Sequence, residues 1–143
     1  MTIRILTTTA LLILTTGLTN PAQARADQAE PLKVVVHVNF DGADRQAKGL
    51  KNVENLLKEA PDTQVEVVCH GLGINLVVTA HSESAEAVQA LISRGVQFSA
   101  CENTMRQKSI QKEDLLPGVG TVPSGAAEVV RRQQRDGYAY FKP

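Results

Sequence analysis

The sequence predicts an α/β domain, a three-layer α/β/α sandwich around a mainly parallel five-stranded sheet. Two observations support this fold class. Short β-branched runs alternate with amphipathic stretches from residue 33 to the end of the chain, and strands that alternate with helices form parallel sheets with helices on both faces. Glycine or proline marks most of the junctions between these segments, as is typical of short connections.

The first 24 residues have the pattern of a secretory signal peptide. Arg4 gives a positive start, residues 5–19 form a short threonine-rich apolar run, and the sequence AQA at 22–24 offers a small-residue cleavage site. The run is shorter than the roughly 20 apolar residues that a membrane span needs. We therefore expect cleavage and a periplasmic or secreted protein with no membrane association afterwards; an uncleaved anchor is the alternative.

The expected mature chain is nearly neutral. Arg4 would leave with the signal peptide, so 14 basic residues would face 15 acidic ones. Such a balance gives no basic surface for a nucleic acid, and we expect no nucleic-acid partner. The sequence contains no P-loop, G-x-S-x-G or H-E-x-x-H motif, so we expect no cofactor.

The mature chain divides into a lead-in and one domain. Residues 25–32 are polar, contain a proline and predict a flexible segment, and residues 33–143 form the domain. The β-branched runs predict strands at 33–39, 65–70, 96–100, 119–123 and 138–142. Helical periodicity predicts helices from Asp44 to just before Pro61, at 85–92, after Cys101 and at 124–135.

Some segments need finer predictions. Residues 74–79 fit either a short helical turn or an extended piece, and 109–116 predicts a helical turn. Asn103 or Thr104 offers a cap for the helix after Cys101. The expected inward faces of the first and last helices are Ala47, Leu50, Val53 and Leu57, and Ala126, Val129 and Val130, respectively.

Cys101 is the strongest candidate for chemistry. It follows the third strand and precedes a helix, where unpaired backbone N–H groups and the helix dipole favour the thiolate. Arg106 and Lys108 add positive charge nearby, whereas Glu102 opposes it. The alternative is a small, half-buried residue at the end of a strand.

Cys69 lies inside a β-branched strand, where a free cysteine is commonly part of the core; a disulfide with Cys101 is the alternative in an oxidising compartment. His70 follows it and would point to the other face of the sheet. His37 and His81 complete the histidines. Because no pair has the spacing of a preorganised metal site, we expect no metal, and metal binding is the weakest alternative.

Three segments resemble the DsrE/DsrF-like family. GVQFSACENTMRQ at 95–107 resembles the family's cysteine motif, in which a strand runs into a cysteine followed by Asn-Thr. VEVVCHGLGINLVV at 65–78 resembles the preceding strand and loop, and residues 115–143 resemble the closing portion of these proteins. The resemblance covers the chain from Lys33 onward.

The resemblance implies an α/β/α fold, assembly into trimers or hexamers, and a cysteine that carries sulfur as a persulfide. Cys101 matches the family cysteine; Asn103 and Thr104 belong to its motif, and Cys69 and His70 would form a second thiol and a site wall. A sulfur donor or acceptor protein would then be a partner. The sulfur-relay members are cytoplasmic, whereas this chain carries an export pattern. The competing hypothesis is a non-enzymatic oligomeric binding module whose cysteines are structural or paired.

Overall fold

Five parallel strands form one sheet in the computed structural model, which describes residues 30–143. The strands are β1 (Lys33–Val38), β2 (Gln64–Cys69), β3 (Gln97–Cys101), β4 (Gly120–Val122) and β5 (Ala139–Phe141). Their order across the sheet is β4-β3-β2-β1-β5, and all four neighbouring pairs are parallel. The predicted fold class is confirmed. The predicted signal peptide lies outside the described residues, as does most of the 25–32 lead-in.

Four α-helices and two 3₁₀ segments connect the strands within the described residues. The helices are α1 (Ala43–Glu59), α2 (Ala85–Ser93), α3 (Glu102–Lys108) and α4 (Gly125–Arg135), and the 3₁₀ segments are Gly71–Val77 and Lys112–Asp114. Over these residues, every helix is too short or too polar to cross a bilayer.

The order of the strands explains the three layers. The chain steps in one direction from β1 to β4, and right-handed crossovers therefore put α1, α2 and α3 on one face. It then returns past β1 to form β5, which puts α4 on the opposite face. A large apolar core lies under the first face, whereas the second face has only a small cluster of Val35, Val68 and Val129 with Tyr138 packed against it. We call these the core face and the α4 face.

The inward faces of α1 and α4 differ in part from the prediction. In α1, Leu50, Val53 and Leu57 are buried as expected, but Ala47 is exposed and Gln46 is buried instead. The side-chain amide of Gln46 donates to the carbonyl oxygen of Phe40 at 3.1 Å, and this hydrogen bond offsets the cost of burying the amide.

The apolar face predicted for α4 is wrong at two of its three positions. Val129 is buried, but Ala126 and Val130 are exposed, and Glu128 takes an inward position. Hydrophobic periodicity missed this because charged groups, rather than an apolar stripe, face the sheet here.

The ambiguous segment at 74–79 is resolved into two parts. Residues Gly71–Val77 form a 3₁₀ segment, and Val78 pairs with Leu115 in an isolated antiparallel bridge. The segment crosses the end of β1 so closely that a β-carbon at Gly73 would lie 2.1 Å from the Val38 carbonyl oxygen. Only glycine permits this approach.

The cap predicted for the helix after the third strand is also corrected. Helix α3 begins at Glu102, its N-cap residue is Cys101, and Asn103 and Thr104 lie inside its first turn. The strand therefore leads directly into the helix without an intervening loop residue. The thiol itself occupies the place where a serine or aspartate side chain often stands.

Candidate functional site

Cys101 lies at the point in the sheet where the chain changes face. Strand β3 is followed by α3, which contributes Met105 to the core face, and β4 is followed by α4 on the opposite face. In parallel sheets a crevice for ligands forms beyond the carboxyl ends of two such strands. The register pairs Cys101 with Val122, the last residue of β4. The thiol is therefore at the topological switch point.

The first turns of two helices lie against Cys101: α3 begins at the next residue, and the backbone of Gly125 in α4 packs on its β-carbon. Burial by itself raises the pKa of this thiol. The backbone N–H groups of Gly125 in α4 and of Thr104 and Asn103 in α3 oppose this effect and lower the pKa of the thiol, and the net shift is downward. Charge-assisted hydrogen bonds and the positive ends of helices both favour a thiolate. The side chain is only 4 % exposed.

Thr104 connects the thiol to the loop after β2. Its hydroxyl contributes to the lowered pKa of the Cys101 thiol. The same oxygen accepts the backbone N–H of Gly71 at 3.0 Å. Asn103, by contrast, is exposed, and its side-chain oxygen accepts a hydrogen bond from Arg106. Asn103 therefore acts on the sulfur through its backbone alone.

Gly125 allows the amino end of α4 to pack against the site. A β-carbon at this position would lie 3.0 Å from the β-carbon of His70 and 3.2 Å from that of Cys101. These distances are tighter than nine in ten real β-carbon contacts, so a side chain here would push its neighbours away by a few tenths of an ångström. His70 and Cys101 thus flank the same point on the backbone of α4.

His70 is hydrogen-bonded to a second histidine on the α4 face. The Nε2 atoms of His37 and His70 are 2.5 Å apart, with ring centroids 4.8 Å apart and ring planes inclined by 17°. Rings stacked face to face at that separation would not bring two nitrogens so close, so the rings meet edge to edge. Nδ1 of His37 lies 2.8 Å from the hydroxyl of Tyr140 in β5. The three side chains form one hydrogen-bonded row.

Both histidines are held in the neutral form at neutral pH. Burial is the largest cause that lowers the pKa of His37 to about 4, followed by the charges of His70 and Lys142. Burial and Lys142 lower the pKa of His70 as well. Neutral imidazoles can accept a proton from a thiol or a ligand.

Cys69 is separated from Cys101 by the sheet itself. It is 0 % exposed and belongs to the apolar core, and burial raises the pKa of its thiol. Its register partner in β3 is Ala100, whereas Cys101 is one residue further along and points to the opposite face. Both thiols are free. The structure therefore brings His70 to Cys101 but does not bring the two cysteines together, which argues against the disulfide alternative.

The third histidine is not part of the site. His81 lines a separate cavity with Lys108 and Asp114. Across residues 30–143, no three His, Cys, Asp or Glu side chains are grouped so that they could hold a metal ion. The head-to-head contact of the His37 and His70 rings is also shorter than the spacing of about 3.3 Å that tetrahedral zinc would give two nitrogens.

Sequence reasoning missed four residues of this region. The sequence does not link His37 and Tyr140 to His70, and it does not single out Gly125 or Glu66. A signal existed for two of them. His37 and Glu66 are polar residues inside apolar strand runs, and such residues need partners when buried.

The fold and the site define a small α/β sandwich protein with a hydrogen-bonded thiol at the carboxyl edge of its sheet. The chain belongs to the DsrE/DsrF-like family, whose model matches residues 33–143. This family is generally linked to sulfur relay. No curated protein matches the chain.

Similar solved structures include the following two. The MTH1491 protein of Methanobacterium thermoautotrophicum, a protein of unknown function, shares 38% identity at a TM-score of 0.74, over 78% of this chain and 99% of its own. The ychN protein of E. coli has a TM-score of 0.64 at 11% identity, over 80% of this chain and 100% of its own. The second likeness concerns the fold alone.

Proposed function

We propose that this protein is an exported sulfur carrier that accepts sulfane sulfur on Cys101 and passes it to another thiol. The observation that carries the proposal is the convergence of two helix amino ends on a single sulfur atom. A thiolate is the form of cysteine that attacks sulfur, and the pKa of Cys101 is lowered despite its burial. Membership of a family linked to sulfur relay supports the same reading.

The transfer needs no external oxidant or reductant. The Cys101 thiolate attacks the outer sulfur of a donor such as thiosulfate or a persulfide, and a new S–S bond forms as the donor's S–S bond breaks. The electron pair of that bond leaves with the donor, as sulfite or as a thiolate. An acceptor thiolate later attacks the outer sulfur of the Cys101 persulfide and releases Cys101 as a thiolate.

The surroundings of Cys101 favour donors with a terminal sulfur. Because the side chain is only 4 % exposed, a terminal sulfane atom reaches it more easily than the middle of a bulky disulfide. The N–H groups of Gly125, Thr104 and Asn103 would stabilise negative charge on the thiolate and on the persulfide alike. Neutral His70 packs against the same backbone point of Gly125 as Cys101 and forms one wall of this position.

Cys69 has no direct part in this proposal. A resolving cysteine would have to reach the Cys101 persulfide, and Cys69 lies in the core under the other face of the sheet. Sulfur therefore leaves by transfer to a partner protein or to a small thiol. The carrier is proposed to act in the periplasm or outside the cell, after cleavage of residues 1–24.

A closed homo-oligomer, a trimer or a hexamer, is part of the proposal. Strand β5 is an edge strand of three residues, and its Tyr140 and Phe141 are exposed. An exposed apolar edge is commonly covered by another chain. The resemblance to the family supports the same assembly.

The burial of Cys101 also favours a second candidate. A thiol that is 4 % exposed fits an oligomeric binding module whose cysteines are structural. The two functions differ in whether sulfur is loaded, so one experiment separates them.

The test is sulfur loading read by mass spectrometry. The reduced mature protein is incubated with polysulfide or with thiosulfate. If it is a sulfur carrier, the peptide that contains Cys101 should gain the mass of one sulfur atom, and a reductant should reverse this gain. Cys101→Ser should lose the gain entirely, and the matched control Cys69→Ala should keep it. The absence of loading in the wild type, or loading on Cys69 instead, would favour the binding module.

A further inference from the structure

Helix α4 is attached to the sheet mainly by charged side chains. Val129 is its one residue in the apolar cluster of the α4 face, where it meets Val35 and Val68. Beside it, an open groove of about 480 Å³ separates part of the helix from β3 and β4. So small an apolar contact gives the helix little hydrophobic attachment. Its position must therefore depend on other contacts.

Glu66 supplies the principal contact from the sheet. This carboxylate stands in the middle of β2 and is only 1 % exposed. One oxygen accepts the hydroxyl of Ser99 in β3 at 2.5 Å, and the other accepts Nε of Arg132 in α4 at 2.5 Å. A buried carboxylate needs such partners because an unpaired one costs several kcal/mol.

Arg132 collects further contacts on the helix side. Its Nε also donates to Glu128 at 3.0 Å, and its Nη1 donates to Asp136 at 3.3 Å. The guanidinium lies 5.0 Å from the centre of the Tyr138 ring. Arg132 thus joins the centre of the sheet to the last turns of α4, and it is held from several sides.

The same helix presents Gly125 to the thiol. Gly125 is the first residue of α4, seven residues before Arg132, so both belong to one rigid segment about two turns apart. A shift or tilt of the helix would move the Gly125 N–H away from the Cys101 sulfur. Contacts that fix Arg132 therefore also restrict the position of Gly125 against Cys101.

We propose that Glu66 and Arg132 are positioning residues, which fix helix α4 so that the Gly125 N–H donates to the Cys101 sulfur and keeps the thiol reactive. This inference deepens the proposed function, since it concerns the same thiol. The positioning role is tested by the reactivity of the Cys101 thiol, which is measured without any sulfur donor. The positioning role and the sulfur-carrier function can therefore fail separately.

The test compares the pH dependence of Cys101 alkylation in Glu66→Gln and Arg132→Met. Glu66→Gln keeps the volume of the side chain and an acceptor for Ser99 but removes the charge that holds Arg132. Loss of the Gly125 hydrogen bond raises the pKa of Cys101, so both variants should react about three- to tenfold more slowly at neutral pH. Gly125→Ala, whose β-carbon would push Cys101 and His70 away from the helix by a few tenths of an ångström, should also slow the reaction.

The signs of the two effects separate positioning from simple electrostatics. Removing a negative charge at Glu66 would by itself lower the pKa of Cys101, and removing a positive charge at Arg132 would raise it. Positioning predicts that both variants raise it. Arg131→Met is the matched control: this residue pairs with Glu128 and Asp136 but is 43 % exposed and does not reach Glu66, and its alkylation rate should stay within twofold of wild type.

The proposal is overturned if folded Glu66→Gln reacts as fast as wild type or faster. Circular dichroism establishes that each variant is folded. If a single variant does not fold, the double variant Glu66→Gln/Arg132→Met replaces it, because it leaves no unpaired charge at this pair. The same decrease in the rate of Cys101 alkylation is expected. If wild type shows no sulfur loading while the variants still shift the thiol pKa, the proposed function fails and the positioning role stands.

Discussion

Two cysteines lie at the ends of neighbouring strands of one sheet and are buried almost equally, yet the pKa values of their thiols are shifted in opposite directions. Cys69 is 0 % and Cys101 4 % exposed; the pKa of Cys69 is raised by burial, and that of Cys101 is lowered. The difference comes from partners. Apolar side chains surround Cys69, whereas Cys101 receives N–H groups from two helices. Polar contacts, rather than exposure, separate the thiol with a lowered pKa from the thiol with a raised pKa here.

The two faces of the sheet differ in the same way. The core face is held by a large set of apolar residues beneath three helices. The α4 face is held by Glu66, Arg132 and a few valines beneath one helix. An apolar core gives stability without orienting hydrogen bonds, whereas charged pairs fix directions. The proposed chemistry is on the face that is built from directional contacts.

Serine substitutions should give the largest contrast between the two thiols. At position 69 a hydroxyl would be buried among apolar side chains, and Cys69→Ser should lower the free energy of unfolding by about 1–3 kcal/mol. At position 101 the hydroxyl would occupy the N-cap of α3 and accept the Thr104 N–H. Cys101→Ser should therefore stay within about 0.5 kcal/mol of wild type.

Denaturant unfolding of the two variants and wild type measures this contrast. Sulfur loading should show the reverse pattern, lost in Cys101→Ser and retained in Cys69→Ser at temperatures where it is folded. Equal destabilisation by both substitutions would mean that the surroundings of Cys101 are as apolar as those of Cys69, and this would contradict the difference between the two thiols.

Acid should destabilise the α4 face by a smaller amount. The pKa of His37 is lowered to about 4, by burial first and then by His70 and Lys142, while the unfolded value is about 6.5. Between these values the unfolded chain binds a proton that the folded chain does not. The contribution of His37 to stability is therefore complete above about pH 6.5 and is lost as the pH falls towards 4. His37 is partly exposed, so solvent screening keeps the effect modest.

The matched variant for this effect is His37→Gln, which retains a polar partner for Tyr140. Melting temperatures at pH 7 and pH 5 should show a smaller acid-induced decrease in the variant than in wild type. If the melting temperature fell equally in both proteins, His37 would not cause the acid sensitivity, which would then come from carboxylates elsewhere.

The sequence was sufficient for the elements that have strong local patterns. The parallel sheet follows from β-branched runs between helices, and the place of Cys101 follows from a strand that leads into a helix. The contacts that tune the thiol were not predictable in this way. Gly125 lies 24 positions after Cys101 in the chain, and the return of β5 past β1 brings α4 over the site.

The inward face of α4 could not be predicted for a related physical reason. Hydrophobic periodicity assumes that a helix buries apolar residues, and α4 instead turns Glu128 and Arg132 towards a carboxylate in β2. Glu66 and Arg132 are far apart in sequence, and neither carries a motif. Only the pairing of strands and the direction of the crossover bring them together.

The most direct test of the central claim is the rate of alkylation at each cysteine of the native, reduced protein as a function of pH. Peptide mass spectrometry assigns the label to Cys69 or Cys101. We expect Cys101 to be labelled with an apparent pKa below that of a free cysteine thiol, and Cys69 to stay unlabelled until the protein unfolds. Equal labelling of the two thiols, or no reaction at Cys101 before unfolding, would contradict it.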